Sequence, residues 1–287
     1  MATSEPLIPG VTVSTWPEAK WVRAKSHLHE IEDQINAWLV QRPVMAAGHL
    51  ADDSMSIEYK LDIRIPPPEQ AVALVFGDFV HALRSALDGA VWAMVTQINP
   101  APSKPKSIAF PVVTDQSKWP DVEKVLCDLP DEVLETIRSF QPFAISGSHA
   151  HIEILHDLDI RDKHRQSITV KPGPLSDLQV HLQQLVTTQP DTTLNLRDVV
   201  QEATFDDGEV MGRLSANKPI GLNGTIVATV SPLWIVEWGG FNVSLVDMCN
   251  ELLGAVRIVL DALYGYVATL PPLQFVNKLP EPQGADS

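Results

Sequence analysis

The amino-acid sequence predicts an α+β protein in which a bundle of three long helices packs beside an antiparallel sheet. Apolar residues recur with a helical period over three long segments, residues 17–41, 66–98 and 241–267. Between residues 166 and 238 the pattern changes to alternating and β-branched segments separated by turn residues, which is typical of antiparallel strands. Each long helix has one apolar stripe, and packing the helices together buries all three stripes.

The last helix must return across the sheet to the bundle, so we expect a single domain. The predicted organisation is an N-terminal arm over residues 1–14, one α+β domain over 15–270 and a C-terminal tail over 271–287. Within the domain, the helical bundle comes from residues 15–165 and 241–268, and the antiparallel sheet comes mainly from residues 166–238.

The first helix has the signature of a capped N-terminus. Thr15 is the predicted N-cap and Glu18 follows three residues later, which is the capping-box spacing. Pro43 closes the helix. Residues 44–47 and 56–65 then flank two aspartates, and the second segment alternates apolar with polar side chains, which predicts a hairpin with one solvated face.

The second helix opens after a run of three prolines and ends before Pro100. A linker over residues 101–107 follows, and shorter helices are predicted at 119–127, 131–140 and 148–164. Strands are then predicted at 167–171, 178–182, 209–214 and 225–236. Gly239 and Gly240 break the last strand, and the final helix is predicted to begin at Phe241.

Composition excludes several classes of protein. The chain has 21 basic and 36 acidic side chains and a formal charge of −15, which argues against a broad surface for duplex nucleic acid. No apolar stretch is long and uncharged enough for a membrane span, so no membrane partner is expected. The N-terminus lacks a secretory pattern, and Cys127 and Cys249 form no Cys-x-x-Cys motif. We therefore expect a cytoplasmic protein.

Polar residues on the second helix form the first candidate site. One helical face carries Asp78, His81, Ser85, Asp88 and Trp92, and Arg84 lies one turn before Asp88. One interpretation is a solvated face with an ordinary ion pair. The other is a charged cluster partly buried between helices, where titration is shifted.

Four of the nine histidines lie between residues 148 and 165. His149, His156 and His164 fall on one side of the predicted helix, so His149 and His156 are candidate metal ligands. No two of the four histidines have the i, i+4 spacing of helical ligand pairs. We therefore expect no metal and no cofactor, with the metal-dependent alternative left open.

The end of this helix carries a cluster of charged residues. Basic groups there suit the negative end of the helix dipole, and Asp162 could pair with them to fix the corner. Alternatively, the corner presents an anion-binding edge with His164 available for proton transfer. The candidate binding residues of the two segments are Asp78, Arg84, Asp88, Asp162, Lys163, His164 and Arg165.

Residues 77–89 and 158–165 carry a resemblance. They resemble an uncharacterised bacterial family that pairs a Gly-Asp-Phe-x-His-x-Leu-Arg-Ser-Ala-Leu-Asp-His helix with an Asp-Lys-His-Arg corner. That helix is similar to the Arg-x4-6-His signature of HEPN helical-bundle ribonucleases, which cleave RNA at a dimer interface without metal. Arg84 matches the arginine of the signature, but Gly89 stands at the histidine position. The resemblance therefore implies an HEPN-like bundle that lacks the signature's imidazole.

Three functions follow from these patterns. The first is a non-enzymatic protein that binds a protein partner, a second copy of itself or a small anion, since no complete catalytic motif is present. The second is an HEPN-like RNA-binding protein or metal-independent ribonuclease, in which Arg84 holds phosphate and His164 or His81 transfers the proton. The third is a metal-dependent enzyme using His149 and His156. RNA is expected as a partner only under the second.

Overall fold

A computed structural model describes residues 15–144, 151–163, 168–179, 186–198, 205–222 and 227–267. It confirms the predicted α+β class, since helices and an antiparallel sheet occupy the described chain. The predicted arm over residues 1–14 and the predicted tail over 271–287 lie outside the described residues.

Long helices supply most of the core. The helices are α1 (Thr15–Leu39), α2 (Glu69–Ile98), α3 (Trp119–Val125), α4 (Asp131–Ser139), α5 (His151–Lys163) and α6 (Leu245–Val267). Helices α1, α2 and α6 contact one another pairwise, and α5 contacts α2 and α6. The predicted stripes lie at these contacts, because Ile31 of α1, Leu83 of α2 and Leu260 of α6 are fully buried.

The main sheet includes the hairpin of residues 44–65, which the sequence pattern predicts as separate from the sheet of residues 166–238. Its strands are β1 (Val44–Leu50), β2 (Ser56–Ile63), β3 (Val170–Gln179), β5 (Leu194–Asp198), β6 (Val210–Ala216), β8 (Val227–Trp238) and β9 (Phe241–Ser244). A separate short pair joins β4 (Val186–Thr187) to β7 (Gly221–Leu222). The main order is β3-β8-β1-β2-β6-β5, with β9 paired to β8, and all of these pairs are antiparallel. The hairpin β1–β2 therefore lies in the middle of the sheet.

The prediction that the last helix begins at Phe241 is wrong. Residues 241–244 form β9, which pairs with the end of β8, and α6 begins at Leu245. Gly239 and Gly240 have φ values of 58° and 83° and connect Trp238 to Phe241 as a two-residue hairpin loop. Glycine suits such a loop because both central residues need positive φ.

Within the described ranges, no helix has both the length and the apolar character needed to cross a membrane.

Candidate functional site

Arg84 and Asp88 together hold the backbone of Phe110. The Arg84 guanidinium donates to the Phe110 carbonyl oxygen at 2.5 Å and pairs with Asp88 Oδ1 at 2.8 Å. The Phe110 amide donates to Asp88 Oδ1 at 3.0 Å. The Phe110 ring is fully buried, and Arg84 is itself only 7% exposed. This pair therefore fixes the segment after residue 107 onto α2, and it uses Arg84 for an internal contact.

The environment of Asp88 raises the pKa of its carboxyl group. Burial raises the pKa of the Asp88 carboxyl, while Arg84, the Phe110 amide and Lys163 partly offset that rise. The sequence interpretation of a partly buried cluster with shifted titration describes this residue better than a solvated face.

A second contact group joins α2 to α5 through Asp159. This carboxylate is 3% exposed and receives His81 Nδ1 at 3.3 Å and Lys163 Nζ at 2.6 Å. The His81 and Lys163 side chains are each about half exposed. A buried carboxylate needs such partners, because an isolated buried charge is strongly disfavoured. We call Arg84, Asp88, His81, Asp159 and Lys163 the α2–α5 charge network.

Gly77 allows the end of α5 to approach α2 closely. A Cβ atom at residue 77 would lie 2.7 Å from Asp162 Oδ1. The Asp162 carboxylate therefore occupies space that a larger side chain at residue 77 would need. Asp162 and Asp78 are both exposed. These two sequence candidates therefore lie at the outer edge of the helix contact.

His156 lies near the same network, in surroundings that lower the pKa of its imidazole. Burial lowers the pKa of its imidazole, the Arg84 guanidinium lowers it further, and nearby carboxylates oppose the shift. Its Nδ1 atom is buried and has no hydrogen-bond partner in the described part of the chain. In the same part, no group of three or more His, Cys, Asp or Glu side chains could hold a metal ion. The other metal candidate, His149, lies outside the described residues, as do His164 and Arg165.

Charge balance decides what the α2–α5 charge network can do. Arg84 and Lys163 each face a carboxylate at hydrogen-bond distance, so the two cations are already neutralised. An incoming anion would have to displace Asp88 or Asp159 from its partner. The network therefore serves as a brace, in which Arg84 and Asp88 hold Phe110 and the His81–Asp159 contact joins α2 to α5.

The opposite side of α5 borders a cavity lined by Arg161, whose side chain has no ion-pair partner in the described part of the chain. Residue 161 is two positions from Asp159, which places the two side chains on different helix faces. The Arg161 side chain lines an open cavity of about 510 Å3, with Ile168, Thr169, Glu237, Gly239, Gly240 and Asn242. Among all described residues, none forms an ion pair or hydrogen bond with Arg161. We call this space the Arg161 cavity.

The other described residues that line the Arg161 cavity do not compensate its positive charge. Glu237 is already paired with Lys171 at 2.5 Å. Gly239 and Gly240 form the β8–β9 loop, so their N–H groups belong to no strand pair. Sequence patterns alone do not single out Arg161. The Gly239–Gly240 pair is the available signal, although on sequence alone it predicts the break before a helix.

A second cavity, of about 420 Å3, has the opposite character. Trp119 and Leu134 line it together with the carboxylates of Glu123, Asp131 and Glu135. Three carboxylates at one opening repel anions, so this cavity and the Arg161 cavity cannot favour the same ligand.

Gly89 stands at the position that the resemblance to the HEPN signature would assign to histidine. Trp16 and Pro17 lie against Gly89 where a side chain would begin. A Cβ atom at residue 89 would lie 3.0 Å from Trp16 Cδ1 and 3.6 Å from Pro17 Cγ. The N-terminal end of α1 therefore covers the position from which the signature imidazole would extend.

Comparison with known protein families, with curated proteins and with solved structures finds no match to this chain.

Proposed function

We propose that the protein binds a small anion and that the Arg161 cavity is the binding site. The observation that carries this proposal is a partly buried arginine, Arg161, that lines a cavity and has no side-chain partner among the described residues. The other partly or fully buried arginines with described side chains differ, because Arg84, Arg138 and Arg257 each pair with a carboxylate.

A carboxylate or phosphate group suits the chemistry of the cavity. The planar guanidinium can donate two parallel hydrogen bonds to either group. The Thr169 hydroxyl, the Asn242 amide and the free loop amides could supply further donors. A volume of about 510 Å3 is in the range of small-molecule sites, so the ligand would be a compact organic acid or phosphate.

The α2–α5 charge network supports this proposal indirectly. It joins α5 to α2 through the contact between His81 and Asp159, and Arg161 lies two residues after Asp159 on α5. A preorganised cation binds with a smaller entropic cost than a mobile one. The network thus positions α5, and the proposed anion site lies on the opposite face of this helix.

Titration calorimetry with inorganic phosphate and, separately, with acetate tests the proposal. We expect saturable binding of at least one of the two anions, weakened at least tenfold by Arg161→Gln. Arg23→Gln is the matched control, since Arg23 is an exposed arginine of α1 remote in sequence from the cavity. Equal affinities in the unaltered protein and Arg161→Gln, or binding of neither anion, would overturn the proposal.

A metal-independent ribonuclease of the HEPN type is the second candidate function. It is favoured by His156, which lies within electrostatic reach of Arg84 and has an unpartnered buried Nδ1. Against it, Arg84 is occupied by Phe110 and Asp88, and Gly89 supplies no imidazole. Incubation with single-stranded RNA in a chelator separates the two functions. Cleavage that His156→Gln abolishes would support the ribonuclease, and intact RNA would reject it.

A further inference from the structure

We propose that the Ser85 hydroxyl is a nucleophile activated by His81 and Asp159, and that it accepts an acyl group from carboxylic esters. Ser85 Oγ lies 3.4 Å from His81 Nε2, and His81 Nδ1 lies 3.3 Å from Asp159 Oδ1. The three groups thus form a chain of nucleophile, base and carboxylate with each ring nitrogen facing one partner. This inference is independent of the Arg161 cavity.

Ser85 differs from the other helical hydroxyls in its hydrogen bond. Ser26, Thr96 and Thr136 each donate to the backbone carbonyl four residues earlier, and Ser139 donates to the carbonyl three residues earlier. That contact is the usual one for a hydroxyl inside a helix. Ser85 instead contacts an imidazole of its own helix, one turn away. The difference points to a specific role for the His81 side chain.

Asp159 determines which nitrogen of His81 carries the proton. An ionised carboxylate only accepts hydrogen bonds, so Nδ1 is the protonated nitrogen in the neutral ring. The lone pair of Nε2 then faces Ser85. Lys163 holds the other carboxylate oxygen at 2.6 Å, which fixes Asp159 in this orientation. Asp159 is accordingly a positioning residue, and His81 is the base.

The reaction has a balanced course. Ser85 Oγ forms a bond to the ester carbonyl carbon while its proton passes to His81 Nε2. The bond between that carbon and the leaving oxygen breaks, and the alcohol or phenol departs, taking the proton back from His81 when it needs one. Water then releases the acid from Ser85 by the reverse sequence. An ester can reach the group from solvent, because the His81 side chain is 52% exposed.

Acetylation by p-nitrophenyl acetate tests the proposal, with the modified residue located by peptide mass spectrometry. We expect acetyl-Ser85, no label at that peptide in Ser85→Ala, and an initial rate at least tenfold lower in His81→Gln. Ser26→Ala is the matched control and should react like the unaltered protein. Circular dichroism establishes that each variant is folded.

The positioning role of Asp159 has its own readout. Nitrogen NMR of the neutral His81 ring should show the proton on Nδ1. In Asp159→Asn, the proton should no longer prefer Nδ1, and the rate of Ser85 acetylation should fall. An absence of acetyl-Ser85, or acetylation that His81→Gln leaves unchanged, would overturn the proposal.

Discussion

Replacing Arg84 by methionine tests whether the Arg84–Asp88 pair braces the fold. Methionine keeps a long unbranched side chain but removes both the hydrogen bond to the Phe110 carbonyl and the charge facing Asp88. The Phe110 carbonyl then loses a charged donor, and the Asp88 carboxylate loses its cation while staying beside the Phe110 amide.

The expected loss of stability is about 2–3 kcal/mol. A hydrogen bond to a charged group contributes about 1.5–3 kcal/mol, and removing one member of a buried ion pair costs about 3–5 kcal/mol. The Asp88 side chain is 35% exposed, so water screens part of the second cost and the lower end applies. Arg138→Met is the control, because Arg138 forms a surface pair with Glu135 whose loss should cost less than about 1 kcal/mol.

Urea unfolding at several pH values measures this cost. Burial raises the pKa of Asp88, and loss of Arg84 should raise it further. A carboxyl with a raised folded pKa destabilises the fold only while it is ionised. The cost should therefore be full at neutral pH, shrink as pH falls through the raised pKa, and lose its electrostatic part below about 3.9. A loss under about 1 kcal/mol that does not change with pH would refute the brace.

Three further predictions concern other parts of the chain. Gly89→His should lower the free energy of unfolding by about 1 kcal/mol, because the new side chain crowds Trp16. Thermal melts measure this loss, and the double variant with Trp16→Ala should not show it. Ellman's reagent should titrate exposed Cys127 in the folded protein but reach Cys249 only in denaturant, because burial raises the pKa of the Cys249 thiol. Equal reaction of both thiols would contradict the packing. Since burial lowers the pKa of His156, stability should be lost as pH falls below the ordinary histidine pKa of about 6.5, and His156→Gln should flatten that dependence in urea titrations.

Local sequence patterns predict much of the helical part of the fold. The stripes of α1 and α2 are specified by spacing alone, and proline positions mark where α2 begins. The sheet is less accessible to such reasoning. The hairpin β1–β2 pairs with strands about 150 or more residues later, and no local pattern records that pairing. The apolar run after Phe241 predicts a helix that begins at this residue, whereas the positive φ values of Gly239 and Gly240 favour a hairpin.

The candidate site divides in the same way. Helical spacing predicts that Arg84 meets Asp88, and the structure places them 2.8 Å apart. Asp159 received no role in the sequence interpretation, although it is the carboxylate that joins His81 to Lys163. Its importance depends on burial between two helices, which follows from tertiary packing. Arg161 is distinguished by having no partner among the described residues, and a sequence does not show which charges remain unpaired.

The most direct test of anion binding observes Arg161 itself. Proton–nitrogen NMR spectra of the arginine Nε–H groups, assigned with Arg161→Gln, can be followed during titration with inorganic phosphate and with acetate. We predict that one anion shifts the Arg161 signal along a saturable curve while the Arg84 signal, held by Phe110 and Asp88, stays in place. An Arg161 signal that does not move with either anion, or a shift confined to Arg84, would contradict the proposed site.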